Sequence, residues 1–524
     1  MATYRLAAII RNPSDELLIT KQSPPPPLIG EEYKNYVDSE LHDIPSVTLS
    51  PLLVDSKLDW VIKGAEACID QIDLRGFDVS SAIDQVVLQV GFDKSISFEW
   101  VFLKYSAEPD FGPVLHIHTV FILGRLKYEV ADLPERSQWM SIPNVKSLLA
   151  NVKPRYIRVG PLVADGLSAE LALSTKFTLP PMLQFQEYPS GVVVVPMESR
   201  TQKPFSTTNL VVIAPDTIES DIMDPHFVAQ GDAIILDPGC HHKMHSKLEE
   251  IVAALPRKLL VLVTHHHYDH VEGLSVIQKC NPEATLLAHE NTMKRIGSWS
   301  LGYTPLSGGE VIKVSDQKLE VIFAPGHTDG HIALLHSGTH SLIVGDHCVG
   351  QGSSVLDITS GGNMKDYFET TYKFLDLAPH ALISMHGRIN VWPLRMLCGY
   401  LKHRRDREST ILAAIESGAE TLYDIVSKSY ADVDPSLWVP ASSNVRLHVD
   451  HLASQNKLPK KFSFKKFQST CRVHFLSQWM WIFLKNKLAN KDYKSFNIKF
   501  LVAAVIIGLS ILFAVKSKKS LVNS

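Results

Sequence analysis

Six cysteines in 524 residues, Cys68, Cys240, Cys280, Cys348, Cys398 and Cys471, fall without CxxC spacing. They give no disulfide framework and suit a reducing compartment. A basic excess is lacking too. The net charge of −3 and pI near 6.8 exclude a surface coated in cations, while leaving room for a local nucleic-acid groove. No basic leader opens the chain: Tyr4 to Ile10 has the pattern of a folded strand, and Asp15 and Glu16 follow too early for a targeting peptide. Long apolar runs are scarce, and one stands out. Phe500 to Val515 carries no charge and is flanked by Lys499 and by Lys516, Lys518 and Lys519. It is slightly short of the roughly 17–25 residues of a bilayer span, a gap that snorkelling lysines close. A transmembrane tail anchor at 500–515 is expected, with the body of the chain cytosolic. Mitochondrial outer membrane, plastid envelope, peroxisome and endoplasmic reticulum all remain open as the membrane.

What is present is organised around Thr264-His265-His266-His267-Tyr268-Asp269-His270, which comes directly after the apolar run Leu259 to Val263. A β-prone run ending at once in this cluster predicts a buried strand delivering ligands at its C-terminal end. Imidazole and carboxylate are donors that Zn²⁺ takes at about 2.0–2.2 Å. Three further apolar runs end the same way: Leu319 to Ala324 before Pro325-Gly326-His327, Leu342 to Val344 before Gly345-Asp346, and Ala381 to Met385 before His386-Gly387. A lone histidine after a strand is usually structural. Three such ends downstream of a His-x-His-x-Asp-His cluster are not explained that way.

At these motifs the chain resembles the metallo-β-lactamase superfamily, over about Phe185 to Arg395. The resemblance implies an αβ/βα sandwich holding two divalent metal ions, Zn²⁺ before Mn²⁺. By it, His265, His267 and His327 hold one metal, Asp269, His270 and His386 hold the other, and Asp346 bridges them. Asp237, ending the strand Ile234 to Leu236, would orient a ligand rather than bind metal. Asp269 would also orient the attacking hydroxide, which makes it the candidate catalytic residue.

Length alone calls for roughly two to four domains, and 45% apolar with 20% charged residues is ordinary for a globular chain. Residues 1–180 are expected as a separate α+β domain: a hairpin of Leu6–Arg11 and Leu17–Thr20 around Asn12-Pro13-Ser14-Asp15, a helix near Ser80 to Gly91, and a strand from Val114 to Leu123. This order resembles a Nudix domain. Where that family's helix has Arg-Glu-x-x-Glu-Glu, this chain has Asp84-Gln85-Val86-Val87-Leu88-Gln89. The carboxylates that hard Mg²⁺ requires are missing, so such a domain would be inactive.

After the metallo-β-lactamase domain at 185–395, residues 396–458 predict a long helix from Pro393 to Arg407, shorter helices at Ser409–Ile415 and Glu420–Val426, and one at Ser443–Ser454. This suggests a small winged-helix-like module. From Gly345-Asp346-His347-Cys348 through Tyr400-Leu401-Lys402-His403-Arg404 to His451-Leu452, the order resembles the β-lactamase-like endoribonuclease group. That resemblance implies cleavage of single-stranded RNA, with Lys402, Arg404, Arg405, Arg407 and Arg446 as candidate RNA contacts. A departure is Ser384-Met385-His386-Gly387-Arg388, where that group commonly has Pro-Gly-His-Gly-Pro. The ligand is kept, and the loop around it is expected to differ.

Residues 459–499 predict a basic linker dotted with aromatics, attracted to anionic lipid, to RNA phosphates, or simply solvated. Three functions compete on these residues. One is a metal-dependent endoribonuclease, one a glyoxalase-II-like thioesterase acting on a small acyl substrate, and one a membrane-anchored scaffold with a vestigial site. All seven ligand positions are filled, which argues against the last.

Overall fold

The computed structural model describes residues 2–52, 62–64, 70–93, 96–128, 130, 133–171, 180, 183–215 and 224–489. The apolar run at 500–515 lies outside them. Among the described residues, no helix is long and apolar enough to cross a membrane. The chain divides into two compact units, one of Met1–Ser354 with Glu369–Gly399, the other of Val355–Phe368 with Tyr400 onward.

In the first unit, the strand Ala2–Arg11 runs parallel to His116–Leu126 along its whole length, from Ala2 opposite His116 to Arg11 opposite Arg125. Its apolar run is continuous because both faces are covered. Leu6, Ala8 and Ile10 pack with Val79, Ala82, Ile83 and Val86 of the helix Val79–Gln89. Ala7 and Ile9 face Val145 and Leu149 of the helix Ile142–Ala150. The expected hairpin forms, with Arg11 paired to Leu17. This sheet has its own core, yet it belongs to one unit with the sandwich of sheets downstream. The Arg158 guanidinium donates to the His380 carbonyl at 2.9 Å and the Val391 carbonyl at 2.6 Å. The Asp38 carboxylate accepts from the Leu394 and Arg395 amides at 2.9 Å each, which caps the helix Pro393–Glu416.

Next come two facing sheets. One has the order 186–187, 193–198, 207–213, 233–236, 259–262, 285–289, 303–306, and the other 229–231, 311–314, 317–323, 332–336, 341–345, 382–384. Val194, Val211, Ile234 and Leu260 from the first meet Ile312, Leu319, Leu334 and Ile383 from the second in a dry core. The helices His245–Ala254 and Leu274–Cys280 cover the outer face of the first sheet. This is the mixed α/β sandwich that the resemblance implied. Strands 233–236, 259–262 and 285–289 are parallel, so their carboxyl ends open on one edge, where ligands bind in such sheets.

The second unit is helical throughout its described residues. Leu422–Ser429 starts with a capping box, Thr421 and Asp424 satisfying each other's amides, and Trp438–Ser454 packs against it. Two expectations change here. Pro393–Glu416 is one helix, because nothing at Glu408 breaks it. Residues 459–489 are not a linker over most of their length, since Phe464–Thr470 and Val473–Ala489 are helices. Phe467 and Phe475 are buried in the unit's core among Ile425, Val426 and Val445. The phenylalanines recur at helical spacing between lysines, so what looked like a dotted basic stretch is an amphipathic face.

Within that unit, Glu408, His448 and His451 are buried together, with His451 Nδ1 at 2.6 Å and His448 Nδ1 at 3.5 Å from Glu408 Oε2. Burial, aided by Arg404 and His451, pulls the His448 imidazole down to about 4 against the opposing pull of Glu408. An unfolded chain protonates this ring near pH 6.5, before the folded chain does. The stabilisation is therefore full above pH 6.5 and lost as pH falls through about 4, by on the order of 3 kcal/mol. Thermal melts over that range should show an acid-labile transition whose pH slope shrinks in His448→Gln; equal slopes would mean the ring is not the sensitive group.

Candidate metal centre

The centre begins at a buried carboxylate. Asp237 is wholly inaccessible and sits at the end of the strand Ala233–Leu236 with φ of 47°. Its Oδ1 accepts the Thr264 amide at 2.7 Å, and its Oδ2 accepts the Thr264 hydroxyl at 2.6 Å and His270 Nδ1 at 2.9 Å. Since the Thr264 hydroxyl donates to Asp237, it accepts from His265 Nδ1 at 3.0 Å. Both histidines thus spend Nδ1 on the scaffold and turn Nε2 into the site. The helix Tyr268–Val271 then sets Asp269 and His270 in one turn.

Two donor sets result. His265, His267, His327 and Asp346 bring one ligand atom each within 4.8 Å of one another, and so do Asp269, His270 and His386. His267 Nδ1 is 3.0 Å from His265 Nε2 and 3.1 Å from His327 Nε2, close to the roughly 3.3 Å between nitrogens on one tetrahedral zinc ion. Asp346 Oδ2 lies between the sets, 3.5 Å from His270 Nε2 and from His386 Nε2, 3.9 Å from His265 Nε2 and 4.0 Å from His327 Nε2. Among the described residues, the buried His270 Nε2 and Asp346 Oδ1 have no hydrogen-bond partner. These two orphaned atoms, among donors converging from seven side chains, fit divalent metal ions.

The charges agree. Burial opposes a charged carboxylate at Asp346, but His386 and His270 hold it well below the usual range. Asp269 is likewise held low by His270 and His386 against the effect of burial. Burial should lower His386, yet Asp346 and Asp269 raise it to about 9. His265 is pushed down, by burial first and then by His270, His267 and His327. A cation entering this site would displace protons from His270 and His386 and meet a neutral imidazole at His265.

Several supporting residues carry no signal in the sequence. His331 is fully buried; its Nδ1 donates to the Ala324 carbonyl at 3.1 Å, and its Nε2 accepts the Asp346 amide at 3.1 Å. A side chain at Gly345, where φ is 56°, would meet this ring at 2.4 Å. Asn209 clamps the last ligand loop through the Ser384 and Gly387 carbonyls at 2.8 Å each. His386 Nδ1 donates to the Thr207 carbonyl at 2.8 Å. At the rim, the Thr201 hydroxyl is 3.5 Å from His386 Nε2, and the Arg200 guanidinium stacks on the exposed Tyr268 at 5.4 Å.

The expected RNA contacts do not form an open basic face. Arg404 is buried, its guanidinium over the Tyr367 ring at 5.1 Å. Arg405 covers Phe368 at 4.2 Å. Arg407 covers Tyr430 at 4.0 Å and donates to the Ser429 carbonyl at 2.9 Å. Lys402 pairs with Asp406 at 2.6 Å, and Arg446 is half-buried. Lys402, Arg404, Arg405 and Arg407 stack on aromatics or pair within their own unit, a use that charge clustering in a sequence does not distinguish from a free surface.

Residues 227–371 match the family model of the metallo-beta-lactamase superfamily, and 421–461 match the beta-lactamase associated winged helix domain. The chain carries a metallo-β-lactamase superfamily domain. A relative from Drosophila melanogaster, the "Beta-lactamase-like protein 2 homolog", is 28% identical over 214 residues, 38% of this chain and 69% of that protein. The "Hydroxyacylglutathione hydrolase" of Xanthomonas axonopodis pv. citri (strain 306) is 35% identical over 114 residues, 21% of this chain and 40% of that protein. The chain therefore spans less than half of that hydrolase. A solved "Beta-lactamase domain protein from Burkholderia ambifaria" aligns with a TM-score of 0.46 at 19% identity, covering 55% of this chain and 94% of that one.

Because Asp237 sets the tautomer and direction of His270, Asp237→Asn should weaken metal binding about 10–100-fold. Zinc titration of the metal-free full chain by calorimetry checks this, and unchanged affinity would mean that Asp237 does not orient the ligand.

Proposed function

We propose that the chain is a dinuclear-metal hydrolase that cleaves phosphodiester bonds of single-stranded RNA. What carries the reading is the rim of the centre, where Arg200 and Tyr268 stack beside the donors His267 and Asp269. A cation over an exposed aromatic offers a phosphate partner and a base-stacking surface together. The Arg200 guanidinium also lies 3.6 Å from Glu272 Oε1, which holds it over the ring. The winged helix domain downstream supports the same reading, as a module appended to the hydrolytic domain.

Divalent metal, zinc by the nature of the donors, supplies a hydroxide nucleophile at neutral pH when bound. The chain does the rest. Asp269, partly open to solvent and held ionised by His270 and His386, accepts a hydrogen bond from the attacking water and aims it. Asp346 keeps the two donor sets in register. Arg200 meets the anionic substrate at the rim. The N-terminal sheet domain, read as a Nudix-like fold without its magnesium carboxylates, takes no chemical part.

A second reading has its own support. The hydroxyacylglutathione hydrolase relative makes a glyoxalase-II-like thioesterase the alternative, since the same ligands serve acyl transfer. Full-length protein loaded with Zn²⁺ or Mn²⁺ is incubated with labelled single-stranded RNA and, in parallel, with an acyl-glutathione thioester. RNA cleavage is expected, abolished by chelator and in His267→Ala, and reduced about tenfold or more in Arg200→Ala. Thioester turnover alone would transfer the assignment to the acyl hydrolase.

A further inference from the structure

The loop that carries His386 departs from its family's pattern at Arg388, and the structure gives that arginine a partner in the N-terminal domain. Arg388 Nε and Nη2 meet the Glu108 carboxylate at 2.5 Å each, and the guanidinium also donates to the Leu115 carbonyl. Glu108 and Leu115 bracket the connection between the strands Phe98–Ala107 and His116–Leu126. We propose that this connection, through the Glu108–Arg388 pair, is a positioning element for His386 and so for the second metal ion.

The remainder of the connection supports the same assignment. Phe111 is buried in the core between the two sheets of the metallo-β-lactamase domain, beside Val194, Val211 and Ile383. The Asp110 carbonyl accepts from the Thr207 hydroxyl at 3.4 Å, and the Thr207 carbonyl in turn takes the Nδ1 proton of His386. Gly112 lies against Phe205, where an added Cβ would come within 3.0 Å of the ring, and Phe205 packs on the His386 imidazole at 5.5 Å. One eight-residue connection, residues 108–115, thus touches the loop just beyond His386, the residue that accepts its proton and the ring that covers it.

The loop needs such a brace. Gly387 has φ of 88°, and a Cβ there would meet Gly350 Cα at 2.7 Å. The backbone on either side of His386 therefore cannot be stiffened by a side chain at position 387. A proline at 388 would fix φ covalently. Arg388 leaves φ free, and a two-pronged ion pair holds the loop from outside instead. That pair is well screened from water, with Glu108 14% and Arg388 29% exposed, so it is geometrically specific.

The inference rests on the two-metal reading of the centre, and zinc titration of the metal-free full chain separates the two claims. Wild-type protein should show two binding events. Arg388→Ala and Glu108→Ala should each weaken one event about 10–100-fold and leave the other unchanged. The double variant should lose no more than either single variant, as expected of residues acting through one contact. Glu108→Gln, which keeps shape and loses charge, guards against a variant that simply fails to fold; circular dichroism confirms its fold, and it should weaken the same event. A single event in the wild type would overturn the two-metal reading. Two events with both weakened equally, or neither weakened, would overturn the brace, because a general packing role does not distinguish the two ions.

Discussion

One buried carboxylate decides how the rest of this centre is arranged. Asp237 has no access to water and accepts an amide, a hydroxyl and an imidazole N–H, all from Thr264 and His270. A carboxylate in such a place is costly unless its lone pairs are satisfied. The satisfaction comes from the segment that carries four of the metal donors, so the price of burying Asp237 fixes the trajectory of that segment. Through Thr264 the order passes to His265, and through His270 it passes to the edge of the second donor set. A change at Asp237 is therefore felt in both sets although it belongs to neither.

The carboxylates of the centre favour protonated imidazoles on one side of it. His270 is pushed well above its usual range by Asp346, Asp269 and Asp237, against the effect of burial, and His386 is raised for the same reason. The three other histidines converge on one another, with Asp346 Oδ2 at 3.9 Å from His265 Nε2 and 4.0 Å from His327 Nε2. One half of the site thus pairs two histidines closely with carboxylates, and the other gathers three imidazoles around the more distant Asp346. Affinity for a cation has a different proton cost in each half, and two ions bound to so similar a donor inventory need not bind alike.

Much of this was legible in the chain. Each expected donor comes after an apolar run and is one of few residue types a divalent cation accepts, so residue type and strand-end position marked these seven, whereas nothing of that kind marked Asp357, which lies with His266 and His267. The facing sheets, the hairpin at Asn12 to Asp15 and the Thr421 cap were legible for the same reason: they are local patterns. The illegible part depends on partners distant in sequence. His331 resembles any histidine at the start of a strand, and only its Nε2 contact with the Asp346 amide gives it a role. Arg404 belongs to a charge cluster on a helix, and nothing near it shows that Tyr367 covers it. The helices at 464–489 escaped because lysines between their phenylalanines suggested solvent, whereas the phenylalanines face a core supplied by Val426 and Val445.

That Arg404, Arg405 and Arg407 are occupied by aromatic rings shifts where substrate recognition has to be sought. A guanidinium stacked on a ring and pointing into its own unit contributes packing more than field. These three are engaged with rings of their own unit, and a chain with net charge of −3 has little long-range attraction to add. On the proposed reading, discrimination would fall to contacts beside the reacting atoms, where the Arg200–Tyr268 stack stands next to the donors. On the proposed RNA reading, a rim that meets one phosphate and one base at a time would tolerate many sequences and favour strands whose bases are unstacked, because a base stacked in a duplex has no free face to offer Tyr268.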